Sequence, residues 1–223
     1  MTSAARPGLD HESDPKNDPR HRPAYSMQGS VTPLSILGPQ AEAERQRIRE
    51  EFEAGASARE TLRALCLMAD GNIQQVFAQL HSGRGVESQG LCLLALGGYG
   101  RQLLFPYSDL DILFLFGSDK AERDFRPLIS EFSKTLWDLG FRVSSAGRTL
   151  EECKRIEEDN AEFHLALLDR RFLTGDRELF ERLDTKVLPG PERQARPFLS
   201  AELRKLTRER LVRYGNTLSL IHI

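Results

Sequence analysis

The chain has few cysteines, and their number and placement exclude one class of protein. Its 223 residues include three cysteines, which stand singly at Cys66, Cys92 and Cys153. An odd count without paired spacing argues against a disulfide framework and favours a reducing, cytoplasmic location. We interpret the three thiols as small buried apolar groups, because nothing around them is typical of a zinc or redox site.

Long apolar runs and an excess of one charge are also absent. No apolar run reaches the roughly 18 residues of a membrane span, and the N-terminus lacks the apolar core of a signal peptide. Lys and Arg number 31 against 33 Asp and Glu, which leaves a formal net charge of −2. We therefore expect no membrane partner, and no nucleic-acid partner bound through a global positive field.

Residues 91–116, LCLLALGGYGRQLLFPYSDLDILFLF, are the most informative part of the chain. The apolar start suits a short buried strand. Gly97 and Gly98 follow at once, and glycine allows a sharp turn in which amide N–H groups approach an anion. A second turn signal, Phe-Pro-Tyr-Ser, ends at Ser108. This order predicts a strand, an anion-binding turn and a return of the chain into a second strand.

Two aspartates, Asp109 and Asp111, open that second strand. Side chains alternate across a strand, so both project from one face, with Cα atoms about 6.5–7 Å apart. Aspartate is depleted in strands, which favours a functional pair over a solvated strand end. Mg²⁺ prefers oxygen ligands, often one or two carboxylates completed by substrate phosphates and water. The layout predicts a nucleoside triphosphate held on Mg²⁺, where two ions can activate an attacking hydroxyl and steady a diphosphate leaving group.

The string GGYGR…FPYSDLDILFLF resembles the nucleotidyltransferase domain of the PII-protein uridylyltransferases, within the polymerase-β-like nucleotidyltransferase superfamily. The resemblance covers about residues 45–217 and includes the segments 52–70, 148–153 and 167–176. It implies an enzyme that transfers UMP from UTP to a tyrosine hydroxyl of the PII nitrogen-signalling protein. It also implies catalytic and Mg²⁺-binding roles for Asp109 and Asp111. The nucleotide-binding residues that it implies are Gly97, Gly98, Arg101 and Ser108.

The chain departs from the family pattern in two places. Family members often carry a histidine where this chain has Ser144 or Ser145, which bears on substrate preference rather than on the metal pair. Many relatives also use a third carboxylate on a neighbouring strand, and the predicted strand 141–146 contains none. The possible substitutes, which we interpret as helix-surface or turn residues, are Asp159, Asp169 and Asp176.

We predict an α+β fold, in which helices flank a small polymerase-β-like sheet, divided into five segments. A disordered tail at 1–38 has no hydrophobic period. A helical lead-in (39–85) precedes the nucleotidyltransferase domain (86–190), and a basic helix follows at 191–217. The last six residues (218–223), LSLIHI, match a one-frame translation of a transposon end used in sequencing libraries. We therefore expect a non-native end on a truncated fragment.

Apolar spacing predicts the individual elements of these segments. A capping box from Ser57 to Glu60 opens the second helix, and 70–72 (Asp-Gly-Asn) is expected to kink or break it. Trp137 is expected to pack in the core. The other predicted helices are 41–54, 121–139, 149–159, 161–172, 176–186 and 192–215, and the predicted strands are 91–96, 109–116 and 141–146.

Several alternatives stay open at this point. The cations of the last helix, among them Arg210 and Arg213, form either a solvated face with i,i+4 ion pairs or a contact to the triphosphate. Arg148 is either an exposed arginine at a helix entry or a contact to a phosphate. A non-catalytic nucleotide-sensing module is the second functional hypothesis, and an adenylyltransferase resembling the one that acts on glutamine synthetase is the third. Longer family members continue with HD-type and ACT-type domains, so no uridylyl-removing role is assigned to these 223 residues.

Overall fold

A computed structural model describes residues 34–82 and 89–214 of the chain. The helices are α1 (Leu34–Glu53), α2 (Ala58–Ser82), α3 (Gly97–Gly100), α4 (Asp119–Asp138), α5 (Leu150–Cys153), α6 (Ala161–Leu167), α7 (Arg177–Arg182) and α8 (Pro189–Tyr214). The strands are β1 (Leu91–Ala95), β2 (Leu110–Phe116), β3 (Val143–Thr149) and β4 (Arg171–Gly175). A 3₁₀ turn (Glu158–Asn160) precedes α6, and a π-helical turn (Leu183–Val187) joins α7 to α8.

The four strands form one mixed sheet in the order β3-β2-β1-β4. β1 runs antiparallel to β2 and β4, whereas β2 and β3 are parallel and are connected through α4. Ala95, the last residue of β1, lies opposite Ile112, and Asp111 lies opposite Ser144. The end of β1 and the starts of β2 and β3 therefore meet at one end of the sheet. The predicted α+β fold with a small flanked sheet is confirmed.

Helices cover both faces of the sheet because its strands are apolar on both sides. Ile112 and Phe114 of β2 pack into a core shared with α1, α2 and α4, where Phe114 meets Phe132 edge to face at 5.8 Å. Leu113 and Leu115 point to the other face, into a second core with α5, α6 and α7. Each such fully buried side chain contributes about 1.5–3 kcal/mol of hydrophobic stabilisation. The sheet thus separates two cores.

Helix α2 begins as predicted and continues through the predicted break. The capping box is present, since the Ser57 N–H donates to Glu60 Oε2 at 3.0 Å and the Glu60 N–H donates to Ser57 Oγ at 3.3 Å. The predicted break at 70–72 is wrong, because α2 is continuous from Ala58 to Ser82, and the alternative of a kink there stays a prediction. A helical glycine such as Gly71 costs about 1 kcal/mol relative to alanine, which the packing of the buried face outweighs. The buried residues of α2 are Cys66, Met68, Ala69, Ile73, Val76, Phe77 and Leu80.

Helix α1 starts earlier than the predicted 41–54. Its first residue is Leu34, so the described part of the predicted disordered tail, 34–38, is helical. Leu37, Ala41 and Ile48 follow helical spacing, and each is 2 % exposed. These buried side chains attach the start of α1 to the core, which the polar composition of the predicted tail did not indicate.

Other predictions fall on residues outside the described ranges. These are the remainder of the tail, most of the loop between α2 and β1, and the end of the chain, at 1–33, 83–88 and 215–223. They stay predictions.

Strand β4 is missing from the sequence-based prediction, which placed 161–172 in one helix. The helix α6 ends at Leu167, and Arg171–Gly175 pairs antiparallel with β1, where Cys92 lies opposite Gly175. A short apolar run is compatible with a strand or with the end of a helix. Pairing with the distant strand β1 makes this run a strand. Strand β3 is also displaced, since it begins at Val143 rather than at residue 141 and continues to Thr149.

The prediction that Trp137 packs in the core is wrong, because its side chain is 59 % exposed. The buried face of α4 is formed by Phe125, Leu128, Phe132 and Leu136. A residue next to Leu136 is rotated about 100° around the helix axis, which carries Trp137 off the buried face. Size and aromaticity alone therefore misplaced this side chain.

The three cysteines lie in the apolar surroundings that their isolated positions predicted. Cys66, Cys92 and Cys153 are free and buried, and burial raises the pKa of the Cys66 thiol to about 11. No helix in 34–82 or 89–214 combines the length and apolar character needed to cross a bilayer.

Helix α3 packs directly against the backbone that leads into β4. A Cβ placed on Gly100 would lie 1.6 Å from the carbonyl oxygen of Asp169 and 3.1 Å from that of Ala95. No side chain fits at that separation, so glycine is required there for close approach. The contact fixes α3 between β1 and the segment before β4.

Replacing Gly100 by alanine is expected to destabilise the protein by about 1–3 kcal/mol or more, because a backbone must move to admit the methyl group. The matched control is Gly71→Ala in α2, where a Cβ meets nothing within 4 Å. That change is expected to stabilise by up to about 1 kcal/mol through helix propensity. Urea unfolding followed by circular dichroism measures both, and equal stability of the two variants would contradict the packing described here.

Candidate active site

The glycine segment after β1 is a single helical turn rather than an open loop. Gly97 has φ +54°, in the left-handed region that favours glycine. The Gly100 N–H donates to Leu96 O at 2.8 Å, and the Arg101 N–H donates to Gly97 O at 3.0 Å. The first N–H groups of a helix have no partner within it. The backbone N–H groups of Gly97 and Gly98 therefore stand at the end of the turn that can bind an anion.

The structure places this turn beside one of the two predicted carboxylates. A Cβ on Gly97 would lie 3.7 Å from Asp111 Oδ2 and 3.9 Å from Ala166 of α6. Asp111 is the second residue of β2, and Asp109 immediately precedes the strand and is exposed. The glycine turn, the start of β2 and α6 thus border one cleft at the end of the sheet.

The environment of Asp111 makes its negative charge costly in the absence of a cation. Burial raises the pKa of Asp111, hydrogen bonding from the Ser144 side chain lowers it, and the nearby Asp109 charge raises it. Ser144 is the register partner of Asp111 on β3, which explains the contact. Two neighbouring carboxylates offer only oxygen ligands, which fit a hard divalent cation such as Mg²⁺. The charge of the ion would offset both the burial of Asp111 and the repulsion from Asp109.

A third carboxylate does not join this pair within the described residues, where no group of three or more His, Cys, Asp or Glu is placed to hold a metal ion. β3 carries none, as predicted. Asp176 instead caps α7 by accepting from the Leu179 N–H at 3.0 Å. Asp159 is exposed in the 3₁₀ turn, and Asp169 forms an ion pair with Arg101. The interpretation of these three as turn or surface residues is confirmed.

The two other predicted nucleotide-binding residues have different surroundings. Arg101 donates through Nη1 to Asp169 Oδ2, so its charge is already matched by a protein carboxylate. Ser108 is half-buried, and its N–H donates to Phe105 O at 3.1 Å in the turn that leads into Asp109. The structure therefore brings Gly97, Asp109 and Asp111 together and directs Arg101 toward another partner.

The remaining candidate cations are also described by their contacts. Arg148 donates to Gly147 O at 2.7 Å, and its guanidinium lies 5.3 Å from the ring centre of Phe163. Arg210 and Arg213 are exposed in the last turns of α8, a helix that packs on α6 and the π-helical turn. A contact of these arginines with a triphosphate stays a prediction.

A buried network that the sequence did not predict holds the glycine turn in place. Arg171 of β4 donates to Asp70 Oδ2 at 2.7 Å and to Asp70 Oδ1 at 3.1 Å, and the Tyr99 hydroxyl donates to Asp70 Oδ1 at 2.6 Å. Arg171 also donates to the Tyr99 carbonyl oxygen at 3.3 Å. The network ties α3 to α2 and β4. Its partners lie up to 101 residues apart in the chain, so local spacing did not predict it.

These features define the class of the domain. A small mixed sheet in which β1 runs into a glycine turn, facing a carboxylate pair at the start of β2, is a nucleotidyltransferase type of site. A family model described as "Putative nucleotidyltransferase DUF294" matches residues 43–165. Because this match covers more than half of the chain, the chain belongs to that nucleotidyltransferase family.

Curated relatives share one printed name, bifunctional uridylyltransferase/uridylyl-removing enzyme. The protein from Caulobacter vibrioides (strain NA1000 / CB15N) is 41% identical over 140 residues, which cover 60% of this chain and 15% of that protein. The protein from Haemophilus influenzae (strain Rd) is 34% identical over 192 residues, covering 84% of this chain and 22% of the relative. A third, from Nitrosococcus oceani, is 32% identical over 180 residues. The chain spans less than a quarter of the length of these relatives.

Asp111→Asn is expected to stabilise the metal-free protein at pH 7. Because the folded-state pKa of Asp111 is raised, the contribution of this carboxyl to the stability of the wild-type protein is fully present below the unfolded carboxyl's pKa of about 3.9. That contribution is lost as the pH rises through the folded value. Asparagine removes that loss, so the advantage of the variant should shrink toward zero near pH 3. Urea unfolding in EDTA across this range measures it.

The control for that experiment is Asp124→Asn, since Asp124 is an exposed aspartate on α4. Its effect should be small at every pH. A stability difference for Asp111→Asn that did not change with pH would contradict the assignment of a raised pKa to this carboxyl.

Proposed function

We propose that the chain carries a Mg²⁺-dependent nucleotidyltransferase site, which transfers UMP from UTP to a tyrosine hydroxyl of a PII-type signalling protein and releases diphosphate. The observation that carries the proposal is the 3.7 Å separation between the Cβ position of Gly97 and Asp111 Oδ2, which sets an anion-binding turn beside a carboxylate pair. The uridylyltransferase name of the relatives supports the choice of UTP and of a protein acceptor.

The residues of the cleft would divide the work as follows. The N–H groups of Gly97 and Gly98 bind phosphate oxygens, and Asp109 and Asp111 hold Mg²⁺. When bound, the ion supplies charge neutralisation and polarises the phosphoryl and hydroxyl oxygens. Ser144 keeps the Asp111 carboxylate oriented through its hydrogen bond. The tyrosine oxygen gives up its proton to water and forms a bond to the α-phosphorus, while the bond from that phosphorus to the diphosphate oxygen breaks and diphosphate leaves.

Preorganisation is the main contribution of the surrounding fold to this reaction. The buried Arg171–Asp70–Tyr99 contacts and the close packing of Gly100 hold the glycine turn against the sheet. A turn fixed in advance need not reorganise when charge develops on the phosphates, and electrostatic stabilisation by fixed dipoles is usually the largest catalytic effect. The geometry therefore supports transfer rather than binding alone.

One observation favours a second candidate, a domain that senses nucleotide without turnover. β3 presents Ser144 beside Asp111 and contains no acidic residue. UTP binding without diphosphate release, measured with Mg²⁺ and a PII-type acceptor present, would support the sensing role. Parallel assays with ATP distinguish adenylyl from uridylyl transfer.

Asp109→Asn and Asp111→Asn are each expected to reduce transfer on the order of 10³-fold, because each removes an anionic ligand of the ion that stabilises the transition state. Transfer is measured as radiolabelled UMP incorporated into the acceptor. Asp124→Asn, on the exposed face of α4, should leave the rate unchanged. Wild-type rates in a correctly folded Asp109→Asn or Asp111→Asn variant would refute the mechanism.

A further inference from the structure

A groove of about 510 Å³ lies at the active end of the sheet, outside the cleft described above. Its walls come from α1, from the first half of α2, from the loop before β2 and from the entry to β3. Three aromatic side chains at its rim are exposed although they are large: Phe52 by 51 %, Phe105 by 44 % and Tyr107 by 75 %. Exposed aromatic clusters of this kind mark surfaces that bind another polypeptide.

The charged side chains of the groove are mostly positive. Glu42, its acidic residue, is already paired with Arg45 Nη1 at 3.2 Å. Among residues 34–82 and 89–214, Arg49 donates to the Tyr107 hydroxyl at 3.4 Å and to no other side chain. The Arg142 side chain is exposed and makes no hydrogen bond or ion pair with any residue in the described ranges. Two cations beside exposed aromatic rings complement an acidic segment, and arginine and aromatic residues are typical anchors of protein interfaces.

The groove and the nucleotide cleft lie on opposite faces of the same strand. Leu110 lines the groove, whereas Asp109 and Asp111 belong to the alternate set of side chains. The groove nevertheless reaches the carboxylates at its edge, because Ser108 lines it and successive Cα atoms are about 3.8 Å apart. A segment bound there would leave the groove beside Asp109 without occupying the phosphate site.

We infer that this groove, which we call the arginine–aromatic groove, docks an acidic polypeptide segment of the acceptor and delivers the adjoining tyrosine to the carboxylate pair. The inference rests on the proposed function, since that reaction requires a protein acceptor near Asp109. Arg142 and Arg49 recognise the acidic side chains, and Phe52, Phe105 and Tyr107 cover the apolar part of the segment.

The experiment uses the complete chain and two labelled peptides of twelve residues, each with a central tyrosine. One carries glutamates around the tyrosine and the other carries lysines. Fluorescence anisotropy measures peptide binding, and calorimetry measures UTP binding with Mg²⁺ in the same preparations. The variants are Arg142→Glu and Arg49→Glu. The matched control is Arg123→Glu. Arg123 is exposed on α4 and lies about 20 Å along the helix axis from the end of α4 that is nearest the groove.

We expect the glutamate peptide to bind more tightly than the lysine peptide, and more weakly as salt is raised. Arg142→Glu should weaken its binding about tenfold or more, Arg123→Glu should change it less than about twofold, and UTP affinity should stay constant. The inference would be overturned if both peptides bound equally well, or if neither groove variant weakened binding of the glutamate peptide. A parallel loss of UTP affinity would also overturn it, because the groove would then belong to the nucleotide.

Asp109→Asn separates this inference from the proposed function. If the groove is a docking surface, this variant loses transfer and keeps peptide binding. A chain that binds the acidic peptide as expected but transfers no nucleotide would refute the proposed function and leave the docking surface in place. The opposite result is UMP transfer by the wild-type chain and equal transfer by the groove variants at limiting acceptor concentration. That result would refute the docking surface alone.

Discussion

The buried pairing of Arg171 with Asp70 is the contact on which the arrangement of the site depends. Both side chains are largely withdrawn from water, with 8% and 15% of their surface exposed, so neither charge is tolerable without the other. Burial raises the pKa of Tyr99 well above its usual range, which keeps its hydroxyl protonated as a donor to Asp70. Because Tyr99 belongs to the glycine turn, the pair fixes Gly97 relative to Asp111. A structural ion pair thus sets the geometry of a site that it does not enter.

The two residues before Arg171 extend this attachment in other directions. Asp169 receives Arg101 and lies against the backbone of the glycine turn, while the side chain of Arg170 is 7% exposed and reaches Asp184 and Glu192, each at 2.6 Å. Consecutive residues therefore fasten the turn, the helical C-terminal part and α2 to the edge of the sheet. This explains why a short segment between α6 and β4 matters for a cleft formed mainly by other elements.

Local sequence patterns predicted what neighbouring residues determine. The apolar strands β1 and β2 and the capping box of α2 follow from alternation and turn chemistry, and the structure places Asp111, one of the two predicted carboxylates, beside the glycine turn. Distant contacts were not visible in the same way. β4 exists because it pairs with β1 about 80 residues earlier, and Arg101 meets Asp169, 68 residues later, rather than standing free for a nucleotide. Burial and counter-ions are properties of the folded chain, so they could not be read from spacing.

The exposure of Trp137 has a spectroscopic consequence. It is the chain's single tryptophan, and its indole is solvated in the native state, so its emission changes little when the core comes apart. Its carbonyl oxygen accepts from the Gly140 N–H at 2.9 Å, and Gly140 lines the arginine–aromatic groove. The indole is therefore a poor optical probe of global unfolding. It is instead an intrinsic fluorophore on the last turn of α4, the helix that leads into the groove residue Gly140, and it reports that end of the helix without any added dye.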